Sequence, residues 1–206
     1  MTATDETDLP LETEWDDHRS PHVLMTIAGA VGLAAAFVLT IDKFTLLQNK
    51  IDGVESALSC DFSAFVSCGG VMDSPQAEAF GFPNSLLGII GFSIVMTLGV
   101  ILWTGGGFGR FVWGGLQVGV LFGIGFVTWL QFQSIYRLDL LCPYCMVVWA
   151  VMIPLFVHVT ACNLRGIAPS SALTRFMSNW SVLIVALWYV GVASAIWLQF
   201  GERLWA

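Results

Sequence analysis

The sequence predicts an all-α integral membrane protein with five transmembrane helices. Of its 206 residues, 56% are hydrophobic and 11% are charged, whereas a soluble domain carries about 25% charged residues. The charged residues avoid five stretches, which cover residues 20–41, 79–109, 111–136, 140–164 and 176–201. Because about 20 apolar residues suffice for a helix to cross the hydrocarbon core, each stretch can cross once.

Two other classes of protein are excluded by the same pattern. Membrane-spanning strands alternate apolar and polar residues, but residues 23–41 and 111–129 are apolar on every face, which excludes a β-barrel. The net charge of −7, without a basic patch, argues against a nucleic-acid partner. Residues 1–19 are acidic, unlike the basic start of a signal peptide, so we expect a disordered tail followed by a retained first helix.

The segment between the first two stretches is the longest part outside the membrane. Leu46, Leu47, Ile51, Val54 and Leu58 recur there at helical spacing among polar residues, which predicts a short amphipathic helix on the membrane surface. Glycine and proline interrupt the rest, so we expect residues 42–82 to form an irregular cap.

The third stretch contains a glycine at every fourth position. Gly115, Gly119 and Gly123 would share one helix face. Such a stripe of small residues predicts that a neighbouring helix backbone approaches closely.

Five crossings place the two termini on opposite faces of the membrane. The long loop and the start of the fourth stretch then share one face, which we call the loop face. Lysine and arginine are divided evenly between the two faces, so the positive-inside rule does not orient the chain. Orientation has to come from the chemistry of the loop face.

The five cysteines carry most of the functional information. Cys60 and Cys68 lie in the loop, and Cys142 and Cys145 open the fourth stretch at the same face. Cys162 follows about 25 Å further along that helix, near the opposite face. A Cys-x-x-Cys pair at a helix start suits thiol–disulfide exchange, because the unpaired amides and the helix dipole stabilise the nucleophilic thiolate.

Two alternatives to redox exchange stay open for these cysteines. A zinc site would call for further ligands, but His18, His22 and His158 lie away from the loop face. We therefore predict no metal, with a tetrathiolate site as the alternative. The second alternative is a pair of static disulfides that brace the loop.

The loop and the fourth stretch also carry a recognisable series of motifs. They are Cys60-Asp61 with Cys68 eight residues later, then Ser74, then Phe82-Pro83-Asn84-Ser85-Leu86-Leu87-Gly88, and finally Cys142-Pro143-Tyr144-Cys145. Over residues 22–162 this series resembles the bacterial branch of the vitamin K epoxide reductase family. The resemblance implies a catalytic four-helix bundle over residues 20–164 around a quinone site, with a loop cap outside the cytoplasm. Residues 176–201 would be an additional helix.

The resemblance implies a membrane thiol:quinone oxidoreductase that oxidises a secreted, DsbA-like thioredoxin-fold partner and supports disulfide formation. Cys60 and Cys68 would be the shuttle pair, Cys142 would receive electrons from Cys68, and Cys145 would face the quinone. The actinobacterial character of the chain favours menaquinone over ubiquinone. Many bacterial homologues carry a thioredoxin-like domain after the last helix, which this sequence lacks, so we expect a separate partner protein.

The family pattern also indicates the quinone-binding residues. Asn84 and Ser85 fall where the family makes a polar contact to the quinone, although Asn84 could instead be the N-cap of the second helix. The candidate aromatic walls are Phe92, Trp129, Phe132, Tyr136 and Trp149. Vertebrate enzymes have tyrosine in place of Trp149, so no hydroxyl contact carries over. We expect Asp61 and Ser74 to hold the loop over the site, and Cys162 to be a buried structural thiol.

Two further functions compete with this one. A DsbB-type oxidase has the same net reaction but carries its Cys-x-x-Cys before its second cysteine pair, the reverse of the order here. A disulfide-braced membrane scaffold or transporter is the non-catalytic alternative, although transporters usually place ionisable groups at mid-bilayer. Because dithiol relays belong in oxidising compartments, we expect the loop face outside the cytoplasm and the N-terminus inside.

Overall fold

The first membrane helix is longer than the sequence predicts. A computed structural model describes residues 21–53, 60–61 and 65–201, and its first helix, α1, spans Pro21–Asp52. Leu46, Leu47 and Ile51 belong to α1, so the prediction of a separate surface helix is wrong for these residues. Val54, Leu58 and the predicted disordered tail lie outside the described residues.

Pairing of a buried charge explains why α1 does not end at its first charged residues. Lys43 is buried, donates a hydrogen bond to the Met72 carbonyl (2.7 Å) and pairs with the Glu78 carboxylate (2.8 Å). A buried charge is tolerated where it is paired and hydrogen-bonded. The helix therefore continues past Lys43 as a support for the loop.

The remaining elements follow the predicted order. They are α2 (Cys68–Met72), a 3-10 turn (Pro75–Glu78), α3 (Asn84–Trp103), α4 (Arg110–Gln133) with a π-helical turn (Ser134–Leu138), α5 (Pro143–Ile167), α6 (Ala172–Asn179) and α7 (Ser181–Phe200). Within the predicted cap of residues 42–82, residues 42–52 belong to α1, and the cap below means residues 65–83, which contain α2 and the 3-10 turn. In the described part of the chain, five helices are long and apolar enough to cross a membrane, which confirms the predicted number. The fifth crossing begins at Ser181 rather than at residue 176, because α6 is a separate short helix.

Four of the long helices form a bundle, and the fifth lies outside it. Helix α1 packs along α3 and α5, α4 packs on α5, and α7 packs on the outer side of α5. The contact of α1 with α3 depends on Gly29, where an added Cβ would lie 2.7 Å from the backbone of Met96. Any larger residue there would push the two helices apart.

Candidate active site

A short backbone pairing joins the cap to the start of α5. The Leu141 amide donates to the Phe65 carbonyl (2.8 Å), and the Ser67 amide donates to the Leu141 carbonyl (3.0 Å). The two segments run in parallel. Since Cys68 follows Ser67 and Cys142 follows Leu141, this pairing brings the loop cysteines beside the Cys-x-x-Cys pair.

The four loop-face cysteines form a continuous series of sulfur atoms. Cys60 and Cys68 are joined by a disulfide, with their Cα atoms 5.7 Å apart. The Cys142 Sγ lies 3.5 Å from the Cys68 Sγ and accepts a hydrogen bond from the Cys145 amide (3.4 Å). Cys142 and Cys145 are free thiols, and Cys145 lines the cavity described below. The series therefore leads from the loop disulfide to the cavity.

Cys142 is the N-cap residue of α5, and its environment favours the thiolate. The hydrogen bond from the Cys145 side chain is the largest influence that lowers the pKa of Cys142. Hydrogen bonds from the Cys145 and Tyr144 amides lower this pKa further, whereas burial and the Asp42 charge oppose the shift. A cysteine held as thiolate is both a good nucleophile and a good leaving group in disulfide exchange.

The sulfur atoms are shielded from the surroundings in this conformation. Cys60 is 1% exposed, and Cys68 and Cys142 are fully buried. The arrangement suits exchange between the two pairs within the chain. A separate protein would reach the loop disulfide only after the cap has moved.

Asp61 holds the cap through hydrogen bonds. Its Oδ1 accepts from the Ser67 hydroxyl (2.7 Å) and from the Gly69 amide (3.1 Å). The Ser67 hydroxyl in turn caps α2 by accepting from the Gly70 amide (3.1 Å). Ser74 makes a more local contact, because its hydroxyl donates to the Val71 carbonyl (2.6 Å) in the turn after α2.

Two charged residues near the cysteines were not among the residues that the sequence singled out. Asp42 is buried, and its Oδ2 lies 3.6 Å from the Cys60 Sγ. Lys43 anchors the cap and also lines the cavity. Their one sequence signal is their position directly after the first apolar stretch, where charged residues normally mark the edge of the membrane.

An apolar cavity of about 570 Å³ lies among α1, α3, α4 and α5. Cys145, Asn84, Ser85 and Lys43 line it near the loop face, and the lining reaches Phe111 at the far end of α4. Its volume falls in the range of about 300–1,000 Å³ that is typical of small-molecule sites. A cavity of this composition suits a mostly apolar molecule that carries a few polar atoms.

The structure separates the five aromatic candidates into two groups. Phe92 and Trp149 line the cavity. Trp129, Phe132 and Tyr136 do not line this cavity and are each at least 40% exposed on α4 and the following turn. Trp129 stacks on Phe126, with ring centroids 5.9 Å apart, and Phe132 meets Tyr136 at a tilt, with ring centroids 5.1 Å apart. These three side chains lie outside the lining of this cavity, and their contact with a quinone stays a prediction.

Asn84 is the first residue of α3 rather than its N-cap, which is Pro83. The Asn84 Nδ2 donates to the Gln76 carbonyl (2.7 Å), and its Oδ1 accepts from the Ala79 amide (3.2 Å). Asn84 therefore ties the 3-10 turn to α3. The neighbouring Ser85 hydroxyl lies 2.9 Å from the Thr40 hydroxyl of α1.

The glycine stripe of α4 widens the cavity instead of packing against a helix. Gly115, Gly119 and Gly123 all line the cavity, and a Cβ added at Gly115 or Gly119 would meet no atom within 4 Å. At Gly123 the added Cβ would meet the end of the flexible Met152 side chain. The prediction of close backbone contact is therefore wrong for this stripe.

The last turn of α7 closes the back of the site. Phe200 is fully buried in a cluster with Leu141 and Trp149, and its ring meets Phe65 of the cap edge-on at 6.4 Å. Through Leu141 and Phe65, this side chain supports the backbone pairing that aligns the two cysteine pairs. Helix α7 thus belongs to the structure of the site although it lies outside the bundle.

Comparison with known families explains this arrangement. A family model described as the vitamin K epoxide reductase family matches residues 23–160, which include α1, the cap and all four loop-face cysteines. The chain belongs to the vitamin K epoxide reductase family. Members of this family are membrane thiol–disulfide oxidoreductases that use quinones and work with thioredoxin-like partners. A comparison with curated proteins finds no match.

The family assignment bears on the alternatives for the cysteines. The Cys60–Cys68 disulfide occupies two of the four thiolates that a tetrathiolate zinc site requires. Among residues 21–53, 60–61 and 65–201, no group of three or more histidine, cysteine or acidic side chains is arranged to hold a metal ion. The geometry is that of a disulfide next to a dithiol, beside an apolar cavity.

Proposed function

We propose that this family member oxidises a separate thioredoxin-fold protein and reduces a membrane quinone. The observation that carries the proposal is the 3.5 Å contact between the Cys68 and Cys142 sulfurs, with Cys145 on the cavity wall. In the net reaction a partner dithiol becomes a disulfide, and two electrons and two protons convert the quinone to the quinol. A quinone bound in the cavity supplies the two-electron acceptor.

We call Cys60 and Cys68 the outer pair, and Cys142 and Cys145 the inner pair. The outer pair exchanges with the partner first. A partner thiolate attacks Cys60, Cys68 leaves as a thiolate, and the second partner thiol releases the oxidised partner. The outer pair is then a dithiol, and its electrons move inward. Cys68 attacks Cys142 of an oxidised inner pair, and Cys145 leaves as a thiolate that faces the cavity.

Closure of the outer disulfide completes the transfer. Cys60 attacks Cys68 in the Cys68–Cys142 mixed disulfide, which re-forms Cys60–Cys68 and releases Cys142 as a thiolate. A disulfide between Cys60 and Cys68 with free thiols at Cys142 and Cys145 is the arrangement expected after this step. The low pKa of Cys142 makes it a good leaving group in this direction.

The cavity walls support the choice of a quinone as acceptor. The Asn84 amide has two N–H groups, of which the Gln76 carbonyl takes one. We assign the other to a quinone carbonyl, with Ser85 as a second polar contact and Phe92 and Trp149 beside the ring. Menaquinone is our preferred acceptor, by analogy with actinobacterial members of the family.

We also infer the orientation from the chemistry. Disulfide formation requires an oxidising compartment, so the loop face lies outside the cytoplasm and the N-terminus lies inside. A membrane-impermeant thiol reagent added outside intact cells should modify Cys60 and Cys68 after reduction but leave Cys162 unmodified. Modification only from the cytoplasmic side would contradict this orientation.

Anaerobic quinone reduction by the purified full chain tests the function directly. Reduced thioredoxin and dithiothreitol serve as alternative electron donors, and menadione serves as the acceptor. Cys60→Ala and Cys68→Ala should lose the thioredoxin-driven reaction but keep the dithiothreitol-driven one, because a small dithiol can reduce the inner pair directly.

The inner pair and the remaining cysteine provide the controls for that experiment. Cys142→Ala and Cys145→Ala should lose the reaction with both donors, whereas Cys162→Ala should behave like the parent protein. If the parent protein reduces no quinone with either donor, the proposed function is wrong. Equal losses in all four loop-face variants would show that the outer pair is not a separate relay.

A further inference from the structure

The carboxylate of Asp42 is an acidic group that lies next to the Cys60–Cys68 disulfide. Its Oδ2 lies 3.6 Å from the Cys60 Sγ, within hydrogen-bonding reach of a thiol once Cys60 is reduced. Both residues are buried, with Asp42 9% and Cys60 1% exposed. Asp42 projects from α1 and Cys60 from the loop, so the contact joins the helix bundle to the Cys60–Cys68 pair.

Among the described residues, the charged groups around Asp42 do not neutralise its carboxylate. The neighbouring Lys43 directs its ammonium to the Met72 carbonyl and to Glu78. Asp61 faces Asp42 as a second negative charge and accepts hydrogen bonds from the cap. From the start of α5, Cys142 is close enough to be influenced by the Asp42 charge. Uptake of a proton by Asp42 would relieve its repulsion with Asp61.

We propose that Asp42 is a catalytic residue that accepts the proton of the Cys60 thiol during closure of the outer disulfide. The Cys60 S–H bond breaks, its proton moves to Asp42, and the thiolate attacks the Cys68 sulfur of the mixed disulfide. The new Cys60–Cys68 bond forms as the Cys68–Cys142 bond breaks, and Cys142 leaves with the electron pair. Asp42 then releases the proton to water at the loop face.

This inference rests on the proposed function, because it concerns one step of the same relay. It gives a chemical role to a buried carboxylate that lies 3.6 Å from a sulfur atom of the relay. Cys142 is an N-cap residue and accepts an amide hydrogen bond. For Cys60 the nearby Asp42 carboxylate provides the means of losing the proton.

The size of the expected effect follows from ordinary thiol ionisation. With a pKa of about 8.5, roughly one thiol in a hundred is ionised at pH 6.5. A carboxylate that takes the proton during attack can therefore accelerate the step by about a hundredfold at that pH. The advantage should fall to about fourfold at pH 8, where the thiol ionises without help.

The test compares Asp42→Asn with Asp42→Glu in the full chain, with reduced thioredoxin as donor and menadione as acceptor. Asp42→Asn should lower turnover by up to about a hundredfold at pH 6.5, and the deficit should shrink as the pH rises. Asp42→Glu, which retains a carboxylate, should keep a flatter pH profile. Asp73→Asn, which removes an exposed carboxylate of the cap, is the matched control and should resemble the parent protein.

Dithiothreitol-driven turnover separates catalysis from folding. Asp42→Asn should retain this reaction, because it does not require closure of the outer pair, and should add no further loss to Cys60→Ala. Equal turnover of Asp42→Asn and Asp73→Asn at every pH would overturn the proposal. So would equal losses with both donors, or a pH dependence of Asp42→Glu as steep as that of Asp42→Asn. Inactivity of the parent protein would refute the proposed function itself.

Discussion

Replacing Lys43 by methionine should loosen the cap, whereas the same change at Lys50 should not. Both lysines project from α1 and pair with acidic residues of the cap, Glu78 and Asp73. The side chains of Lys43 and Glu78 are 9% and 42% exposed, and those of Lys50 and Asp73 are 55% and 52% exposed. Methionine preserves the apolar stem of lysine, so the comparison isolates the ammonium group.

The two environments give different energies. Lys43→Met removes a buried, charge-assisted hydrogen bond to the Met72 carbonyl, worth about 1.5–3 kcal/mol. The half-exposed Glu78 adds up to about 1 kcal/mol, and release from the burial of a charge offsets part of the loss. A net cost of about 2 kcal/mol would raise the open fraction of the cap roughly thirtyfold. The exposed pair of Lys50 with Asp73 is worth about 0–1 kcal/mol, so Lys50→Met should raise the open fraction of the cap at most about fivefold.

Reduction of the buried outer disulfide reports the open fraction. A chain that carries Cys142→Ser, Cys145→Ser and Cys162→Ala retains two of its five cysteines, Cys60 and Cys68. Its rate of reduction by excess glutathione, followed by maleimide labelling and electrophoresis, is proportional to the open population when closing is fast.

Three variants test whether the buried pairing of Lys43 holds the cap closed. The Lys43→Met variant should be reduced roughly thirty times faster than its parent, and Lys43→Arg should restore slow reduction because it keeps the cation. Equal rates for the Lys43→Met and Lys50→Met variants would refute the argument that buried pairing holds the cap. An unchanged rate in Lys43→Met would refute it as well.

Further predictions concern the relay itself. Cys145→Ser should accumulate a Cys68–Cys142 disulfide, because it removes the thiol that resolves this bond. Cleavage of the chain between these two cysteines, followed by non-reducing electrophoresis, should show linked fragments, and fragments that separate would contradict the relay order. Hydrogen bonding to Cys145 lowers the pKa of Cys142, so reduced Cys142 should react with iodoacetamide as a thiolate at lower pH than an ordinary cysteine. Cys145→Ala should shift the pH dependence of this reaction to higher pH, and an unshifted pH dependence would show that the hydrogen bond is unimportant. Phe200→Ala should cost about 3–5 kcal/mol of stability in a thermal melt and slow formation of the Cys68–Cys142 disulfide in the trapping assay. Leu198→Ala, at a residue that is 84% exposed on the same helix, should change neither the stability nor the rate of trapping.

The number of crossings was predictable because unpaired charge is expelled from lipid. The end of α1 was not, because the groups that neutralise Lys43 come from the cap, and Met72 is 29 positions away in the sequence. Hydropathy reads each charged residue alone, so it treats Asp42 and Lys43 as the boundary of the membrane. Pairing over such a distance is a property of the folded chain.

The candidate site was predictable to the level of which cysteines share a face. The contact of Cys68 with Cys142 depends on the backbone pairing of Ser67 with Leu141, for which the local sequence has no strong strand signal. The aromatic residues illustrate a second limit. Apolar residues cover all sides of α4, so its pattern does not reveal which face borders the cavity and which faces outward.

The separation of the cysteines along the chain also sets the order in which they become available during synthesis. Cys60 and Cys68 are eight positions apart, whereas Cys142 follows Cys68 by 74 positions. A chain that emerges from its N-terminus presents the loop pair long before α5. The loop cysteines can therefore join while no third thiol competes, and Leu141 later aligns the inner pair against a finished disulfide. The distance along the sequence thus separates in time the formation of the Cys60–Cys68 disulfide from any exchange with Cys142 and Cys145.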